Sequence, residues 1–327
     1  MNRKILKLTA VLFLLLFLTG CGKKNFADPY DVRSLDTAEI LKGEESGIKA
    51  RGFAADLCVP GTEDRNTENV NAEAFGLFSV DGEEVISQKS LFEKVYPAST
   101  TKIMTCLLAL EMCDLSEYVT VPEESVITVS GSSMADLRPG DRMTMEDMLH
   151  ALMVPSGNDA AVAIACHIAG SIENFAELMN KKARSLGATG THFTNPHGLP
   201  DEDHYTTVYD MYLIFNEAVK NEDFCRISGT GEYSATYTNS KYVENEGDFH
   251  KESTWTSGNG FYNGTFTLPS GLSYFAGKTG HTNAAGFCLV LGEKDTEGKK
   301  YISIIMKAGD YEHLYHGMIS LTDKISL

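Results

Sequence analysis

The sequence lacks a positively charged segment of the kind that binds nucleic acid. It contains 45 Asp and Glu residues against 28 Lys and Arg residues, which gives a formal net charge of −17 at pH 7. No basic cluster follows the first few residues. Nucleic-acid-binding proteins gather Lys and Arg on one face, so we expect no nucleic-acid partner. We interpret the acidic balance as favouring solubility.

The N-terminal apolar run is too short for a transmembrane helix. Leu8–Leu18 has fewer than the roughly 20 residues that span a bilayer. It follows a basic stretch and ends in Leu18-Thr-Gly-Cys21, a pattern that resembles a bacterial lipoprotein signal. The resemblance implies a signal peptide over residues 1–20 and a lipid on Cys21 that holds the protein on the outer face of a bacterial cell membrane. The alternative is an ordinary secretory signal with an incidental cysteine.

The sequence has no Cys-x-x-Cys pair and no Cys/His spacing typical of a zinc finger, so we expect no metal site. Six cysteines follow Cys21, and their spacing forms no framework typical of a small disulfide-rich domain. Cys106, Cys113 and Cys166 lie in apolar helical stretches, where a free cysteine behaves as a small hydrophobic residue. We therefore expect buried thiols, although an even number in an exported chain also permits disulfides.

No internal repeat or low-complexity tract is present. Residues 21–50 are polar without apolar periodicity, which is typical of a tether, and residues 51–327 form the predicted folded domain. Hairpin signals at Asp81-Gly82 and at Asp295–Gly298 lie near the two ends of this domain. Helical patterns fill the region between them, with a helical lobe at about 115–230. These features predict an α+β fold, with an antiparallel sheet of about five strands flanked by helices and an inserted helical lobe.

A serine and a lysine lie three residues apart at the start of an apolar helix. The segment Ser99-Thr-Thr-Lys102 leads directly into Ile103–Leu110. Residues three apart share a helix face, so a neutral Lys102 can take the proton of Ser99. Lysine has a pKa of about 10.4, and a base near neutral pH requires a fall of roughly three units, or about 4 kcal/mol. The alternative is a serine cap with a solvated lysine.

A second hydroxyl and an amide occur together in Ser156-Gly-Asn158, just before a predicted helix. In a turn that faces a cleft, Ser156 can pass a proton to a leaving amine. Asn158 can hold a substrate amide and contact the lysine of the first motif. The alternative for this tripeptide is a helix cap.

The third motif, Lys278-Thr279-Gly280, lies on or at the end of a predicted strand. Lys278 can attract a carboxylate and lower the pKa of a neighbouring lysine, and the Thr279 hydroxyl can bind the same carboxylate. Gly280 allows a substrate backbone to approach closely. The backbone N–H groups of His281 and Ser99 can together form an oxyanion hole. The alternative is an exposed edge strand that ends in a turn.

From about residue 74 to the C-terminus, the sequence resembles the serine-type D-alanyl-D-alanine carboxypeptidases, which are low-molecular-mass penicillin-binding proteins. The segments that carry this resemblance are Tyr96–Thr105, Gly131–Met134, Leu137–Asp141, Pro155–Ala160, His197–Leu199, His204–Thr207, Asp210–Met211, Gly277–Thr282 and Ala285–Gly286.

The resemblance implies a fold of the β-lactamase and transpeptidase type without a cofactor. It also implies that a peptidoglycan stem peptide ending in D-Ala-D-Ala acylates Ser99, with Lys102 as the base, and that water then releases the shortened peptide. Penicillin, a mimic of that dipeptide, is expected to acylate the same serine. The remaining implied roles are proton transfer for Ser156, substrate orientation for Asn158, and binding of the terminal carboxylate for Lys278 and Thr279.

Two features depart from the family pattern. Many relatives carry a second β-rich domain, whereas the predicted strands and final helix use up Asn283–Leu327, so we expect no such domain. The stretch Thr254–Ser273 lacks the Asn-Thr-Asn pattern expected before the last motif. We therefore expect the loop beside the site to differ from that of relatives.

Three alternatives remain. A class A β-lactamase needs a glutamate in a Glu-x-x-Leu-Asn run, and this sequence has no Leu-Asn pair. A non-enzymatic β-lactam sensor of the same fold would keep the serine, but no cytoplasmic signalling domain is evident. A metal-dependent D,D-peptidase would need a histidine and carboxylate cluster, and we expect His313 and His316 to be surface residues of the last helix.

Overall fold

The computed structural model describes residues 57–61, 63–65, 68–239 and 250–325. The predicted signal peptide, the lipidation site at Cys21 and the tether at 21–50 lie outside these residues. The proposed boundaries of these segments stay predictions.

Nine strands occur in the described residues, and they form two antiparallel sheets. In chain order they are β1 (Ala72–Ser79), β2 (Glu84–Lys89), β3 (Tyr118–Thr120), β4 (Asp141–Thr144), β5 (Glu232–Asn239), β6 (His250–Thr256), β7 (Ser273–Thr282), β8 (Gly286–Lys294) and β9 (Lys300–Ala308).

The main sheet has five strands in the order β2-β1-β9-β8-β7. Its N-terminal and C-terminal strands pair directly, with Phe75 of β1 opposite Ile305 of β9. The chain between β2 and β7 is therefore an insertion that leaves the sheet and returns to it. The expected antiparallel sheet of five strands, closed across a helical insertion, is confirmed.

The described residues contain seven α-helices, and polar side chains cap several of them. Thr144, Ser171 and Thr207 each accept a hydrogen bond from the backbone N–H three residues later, which satisfies a donor that the first helical turn leaves free. The helices are α1 (Lys102–Met112), α2 (Met145–Met153), α3 (Asn158–Ala169), α4 (Ile172–Ser185), α5 (Val208–Ala218), α6 (Glu222–Ser228) and α7 (Tyr311–Thr322).

Both faces of the main sheet are covered. On one face, α7 buries Tyr315 and Met318 against sheet residues that include Leu77 and Ile305. On the other face, α5 packs on β1 and β9. The Phe78 ring of β1 lies on the face of helix α5, and its ring centre is 4.1 Å from that of Tyr212. The sheet is thus a rigid support between two helical layers.

A second sheet of four strands, in the order β3-β4-β5-β6, was not predicted. The strands β3 and β4 fall inside the region that the sequence presents as a helical lobe. They are only three and four residues long, which is too short to produce a recognisable alternation of apolar and polar residues. The strand β6 also takes in the first residues of the stretch Thr254–Ser273, which we interpreted as a loop.

All six cysteines of the described residues are free. Cys58, Cys106 and Cys288 are buried, and the other three are partly exposed. The expectation of buried thiols is thus met at only half of these positions. Among the residues that the structure describes, no helix combines the length and the apolar character that crossing a bilayer requires.

Candidate active site

The first motif forms a tight turn followed by a helix. A short 3-10 helix, Ala98–Thr101, carries the partly exposed Ser99 and runs directly into α1. Lys102, the first residue of α1, has no solvent-exposed surface. Its Nζ atom lies 2.9 Å from Ser99 Oγ, 2.6 Å from Asn158 Oδ1 and 2.8 Å from the backbone oxygen of His197.

These three neighbours suit a neutral amine. A neutral lysine has two N–H donors and one lone pair, and the oxygens of Asn158 and His197 accept the two donors. The lone pair is then left for the hydroxyl proton of Ser99. The same geometry therefore orients Lys102 as a base toward the serine.

The electrostatic surroundings favour the neutral state of this lysine. Burial lowers the pKa of Lys102 well below its usual value, and the positive charge of Lys278 lowers it further. The carboxylate of Asp159 acts in the opposite direction but less strongly. Burial and a second cation, the two effects able to lower a lysine pKa far enough for a base, thus both act on Lys102.

The loop at 194–199 holds the carbonyl that binds Lys102. Gly198 has a φ of +86°, and a side chain there would place Cβ 1.8 Å from the backbone oxygen of Ala98. Only glycine allows the two segments to touch at this point. Ala98 itself has a φ of +46°, an uncommon value for a residue with a side chain, so the turn before Ser99 is strained.

His204 ties the same loop to the nucleophile turn, a role that sequence reasoning missed. Its Nδ1 atom accepts a hydrogen bond from Thr194 N at 3.0 Å, so Nε2 carries the proton and donates to Thr101 Oγ1 at 2.8 Å. Burial lowers the pKa of His204 to about 4, so the ring is neutral. His204 belongs to a segment that carried the family resemblance, but nothing local in the sequence gave the residue a function.

The second motif lies in the loop between α2 and α3. Ser156 has a φ of +64°, and its Oγ atom is buried with no hydrogen-bond partner among the described residues. A side chain at Gly157 would place Cβ 2.7 Å from the backbone oxygen of Ala151, so the tripeptide requires glycine at its centre. Asn158 begins α3 and directs its amide oxygen to Lys102.

Asp159 organises the loop that overhangs the site, and it too was missed. Its buried carboxylate accepts hydrogen bonds from Ala135 N at 3.0 Å and Leu137 N at 2.9 Å. The indole of Trp255 donates to the backbone oxygen of Ala135 at 3.0 Å and fixes the loop from the second sheet. Burial raises the pKa of Asp159, whereas these backbone hydrogen bonds lower it.

The third motif lies on β7, against the start of the nucleophile turn. A Cβ atom at Gly280 would lie 2.9 Å from Ser99 N and 3.0 Å from Thr100 N. Lys278 is almost fully buried and donates to the backbone oxygen of Thr279 at 3.0 Å. Burial lowers the pKa of Lys278 to about 7. The exposed ring of His281 stacks on Phe287 at the end of the strand.

Two clefts meet at Ser99. One has a volume of about 260 Å³ and is lined by Ser156, Thr279 and Gly280 among others. The other has a volume of about 430 Å³ and includes Asn158 and His197 in its wall. The two lysines, Lys102 and Lys278, lie buried behind them. The structure thus brings together every predicted site residue except Cys21, which lies outside the described residues.

Comparison with known proteins places this chain in a family. The sequence pattern of the D-alanyl-D-alanine carboxypeptidase family matches residues 62–310. The chain belongs to this family. The matched residues include all three motifs and the strands β1 and β9, which pair with each other in the main sheet.

Curated relatives of the family are moderately similar in sequence. D-alanyl-D-alanine carboxypeptidase DacF of Bacillus subtilis is 37% identical over 230 residues, which covers 68% of this chain and 54% of the relative. DacC of Escherichia coli is 33% identical over 186 residues, which covers 54% of this chain and 46% of the relative. The chain therefore spans about half the length of the curated relatives it matches.

The fold is similar to that of a solved DD-transpeptidase and of a solved penicillin-binding protein homolog. The crystal structure of a Streptomyces DD-transpeptidase superimposes with a TM-score of 0.70 at 26% identity, covering 78% of this chain and 97% of that one. A penicillin-binding protein homolog from Mycobacterium tuberculosis gives a TM-score of 0.67 at 25% identity.

Proposed function

We propose that this protein is a serine-type D-alanyl-D-alanine carboxypeptidase that trims the terminal D-alanine from peptidoglycan stem peptides. The observation that carries the proposal is the 2.9 Å contact between Ser99 Oγ and the fully buried Nζ of Lys102. A buried lysine next to a partly exposed hydroxyl in a cleft is an arrangement for nucleophilic catalysis.

In the proposed reaction, Lys102 Nζ takes the hydroxyl proton as Ser99 Oγ bonds to the carbonyl carbon of the penultimate D-alanine. The backbone N–H groups of Ser99 and His281 stabilise the negative charge that forms on the carbonyl oxygen. The C–N bond to the terminal D-alanine then breaks, and the proton held by Lys102 passes through the hydroxyl of Ser156 to the departing amine, which returns both residues to their starting states. Water attacks the resulting ester and releases the shortened peptide and free Ser99.

The substrate is oriented by groups on both sides of the serine. Asn158 lies at the wall of one cleft and is available to bind a backbone amide of the stem peptide. Thr279 lines the other cleft together with Ser99, which supports a role in binding the terminal carboxylate, with the charge of Lys278 nearby. Gly280 keeps β7 close enough for a peptide to lie along the strand.

We further propose that residues 1–20 are removed as a signal peptide and that a lipid on Cys21 holds the enzyme on the outer face of the membrane. The basic start, the short apolar run and the small residues before Cys21 support this location. The location matches the substrate, because peptidoglycan lies outside the cytoplasmic membrane.

Mass spectrometry of the penicillin-treated protein tests the proposal. We expect one adduct per chain, on the peptide that contains Ser99, and release of D-alanine from a pentapeptide substrate. The Ser99→Ala variant should lose both, whereas Ser130→Ala, on the rim of the same cleft, should keep both. An adduct on another residue would contradict the assignment of the nucleophile.

Three measurements separate the alternatives: the lifetime of the adduct, the release of D-alanine and the effect of a chelator. An adduct that turns over within seconds would favour a β-lactamase. A long-lived adduct without any release of D-alanine would favour a β-lactam sensor. Loss of D-alanine release in the presence of a chelator would favour a metal-dependent peptidase.

A further inference from the structure

Three side chains with different ligand atoms converge far from Ser99. The Cys113 Sγ, a carboxylate oxygen of Glu117 and a ring nitrogen of His167 all lie within 4.8 Å of one another. Within the cluster, His167 Nε2 is 2.9 Å from Glu117 Oε1. The thiol is partly exposed, and the side chains of His167 and Glu117 are 24% and 44% exposed. The cluster is therefore open to solvent and to ions.

The cluster lies at the C-terminal ends of the two helices that begin at the active site. The helix α1 starts with Lys102 and ends just before Cys113, and α3 starts with Asn158 and carries His167 in its last turn. The two helices pack side by side, and their first residues meet through the Lys102–Asn158 contact. The cluster thus joins their C-terminal ends, about 16 Å from the catalytic groups at 1.5 Å per residue.

Two features of this position favour a cation. The C-terminal end of a helix carries a partial negative charge, and two such ends meet at this cluster. Asp114 and Glu117 add negative charge around the thiol of Cys113.

We propose that Cys113, Glu117 and His167 form a zinc-binding site that fastens the C-terminal ends of α1 and α3 together. Thiolate, imidazole and carboxylate are the common protein ligands of zinc, whereas Mg²⁺ and Ca²⁺ prefer oxygen ligands alone. Zinc–ligand distances of about 2.0–2.3 Å place tetrahedral ligand atoms about 3.5 Å apart, so small side-chain rotations close the site. Water occupies the fourth position. Binding releases the thiol proton of Cys113 to solvent and leaves a zinc–thiolate bond.

The site is structural rather than catalytic. It lies at the far end of α1 from Ser99, and none of its three residues lines either cleft. Its effect on the enzyme comes through the helices, because it fixes the elements that carry Lys102 and Asn158. Zinc should therefore raise the stability of the fold while chelation leaves acylation of Ser99 largely intact.

Titration of the purified full chain, with its thiols reduced, tests the site directly. Co²⁺ is used first because a cobalt–thiolate bond gives a sulfur-to-metal charge-transfer band, and Zn²⁺ is then added as a competitor. We expect one equivalent of Co²⁺ with that band, displaced by one equivalent of Zn²⁺. Zinc at about 100 times its dissociation constant should raise the melting temperature by about 5–10 °C.

Variants identify the ligands. Cys113→Ser should remove the charge-transfer band, and His167→Gln and Glu117→Gln should each weaken binding by at least about tenfold. The last two change partly exposed side chains, so they should leave the fold intact even if Cys113→Ser does not. The matched control is Cys166→Ser, since this thiol on α3 is also partly exposed and also has acidic neighbours but lies outside the cluster. The double variant His313→Gln, His316→Gln controls for surface histidines.

Each outcome decides the proposal. Loss of the one-equivalent site in the three cluster variants, with both controls unchanged, supports it. Absence of saturable binding, absence of the thiolate band, or retention of full affinity by Cys113→Ser overturns it. Loss of binding in Cys166→Ser or in the histidine control would assign the metal to another site and would also overturn it.

Discussion

The Nζ atom of Lys102 lies 2.6 Å from Oδ1 of Asn158, and this contact joins the first residues of two helices that start in different motifs. The amide is a neutral acceptor, so it orients the lysine while stabilising its positive charge much less than a carboxylate would. A carboxylate of the same shape in this place would have the opposite electrostatic effect.

The Asn158→Asp substitution tests this relationship. A negative charge at this distance from Lys102 raises the pKa of the lysine and keeps it protonated. We expect acylation by penicillin to be at least about tenfold slower at pH 7 and to recover as the pH rises. The rate of adduct formation between pH 6 and pH 10 measures the effect.

The control for this substitution is Asn283→Asp. Asn283 lines the same cleft but is exposed, so the added charge is screened by water. A loss of rate in Asn158→Asp that is the same at every pH would contradict the electrostatic explanation. It would show instead that the amide matters only as a donor to the substrate.

Gly280 offers a purely steric test of the site. A methyl group there lies 2.9 Å from Ser99 N, and the obstructing atoms belong to backbone that cannot rotate away. We expect Gly280→Ala to displace β7 from the nucleophile turn and to slow acylation by about 100-fold, since displacements of about 1 Å have effects of this size.

The matched control is Gly309→Ala, where an added methyl group meets no atom within 4 Å. Circular dichroism establishes that both variants fold, and the acylation rate separates them. Equal rates for the two variants would disprove the close approach of β7 to Ser99.

Much of the fold could be predicted because the sequence signals were local. Asp81-Gly82 marks the turn between β1 and β2, and Thr144 and Ser171 are residue types that favour the start of a helix and do cap helices in the structure. The second sheet could not be predicted from periodicity. Its first strand, Tyr118–Thr120, is only three residues long. The strand is stabilised by pairing with β4, and the residues around Tyr118 give no indication of that pairing.

The candidate site, too, was predictable only where its residues lie in local motifs. Ser99, Lys102, Ser156, Asn158 and Lys278 were recognised because they lie in short motifs. By contrast, His204 acts through Thr101, more than a hundred residues away, and its contact exists only in the folded chain. The proposed zinc ligands Cys113, Glu117 and His167 have no motif spacing, and only the packing of α1 on α3 brings them together.

His204 also predicts how stability depends on pH. Its pKa falls from 6.5 to about 4 on folding because of burial. Below about pH 6.5 the unfolded chain binds a proton that the folded chain does not, so this residue lowers stability as the pH falls from 6.5 to 4. The full effect is about 3 kcal/mol at about 1.4 kcal/mol per pKa unit.

Urea unfolding of the parent and of His204→Asn at pH 7 and pH 4.5 measures this effect. We expect the variant to be less stable at pH 7, because Thr101 and Thr194 lose their partner. The difference in unfolding free energy between the variant and the parent should be smaller at pH 4.5, because the parent is itself destabilised there by keeping His204 neutral. The exposed His316→Asn serves as control. A deficit that grows toward acid pH would contradict a buried neutral ring.

Glu293 predicts the reverse dependence. Its side chain is fully buried on β8, with the hydroxyl of Ser303 nearby. Burial raises the pKa of Glu293 well above its usual value. Above pH 4.5 the folded chain therefore keeps a proton that the unfolded chain releases, and stability falls by about 1.4 kcal/mol for each pH unit until the folded carboxyl ionises.

The Glu293→Gln variant removes this ionisation and keeps the shape of the side chain. We expect the variant to match the parent near pH 4.5 and to have a higher unfolding free energy than the parent at pH 8. Unfolding in urea at the two pH values gives this difference. The exposed Glu93→Gln should show no pH-dependent gain. If Glu293→Gln instead destabilised the protein equally at both pH values, the pKa of the carboxyl would not be raised on folding, because a raised pKa must give the variant a gain in stability at alkaline pH.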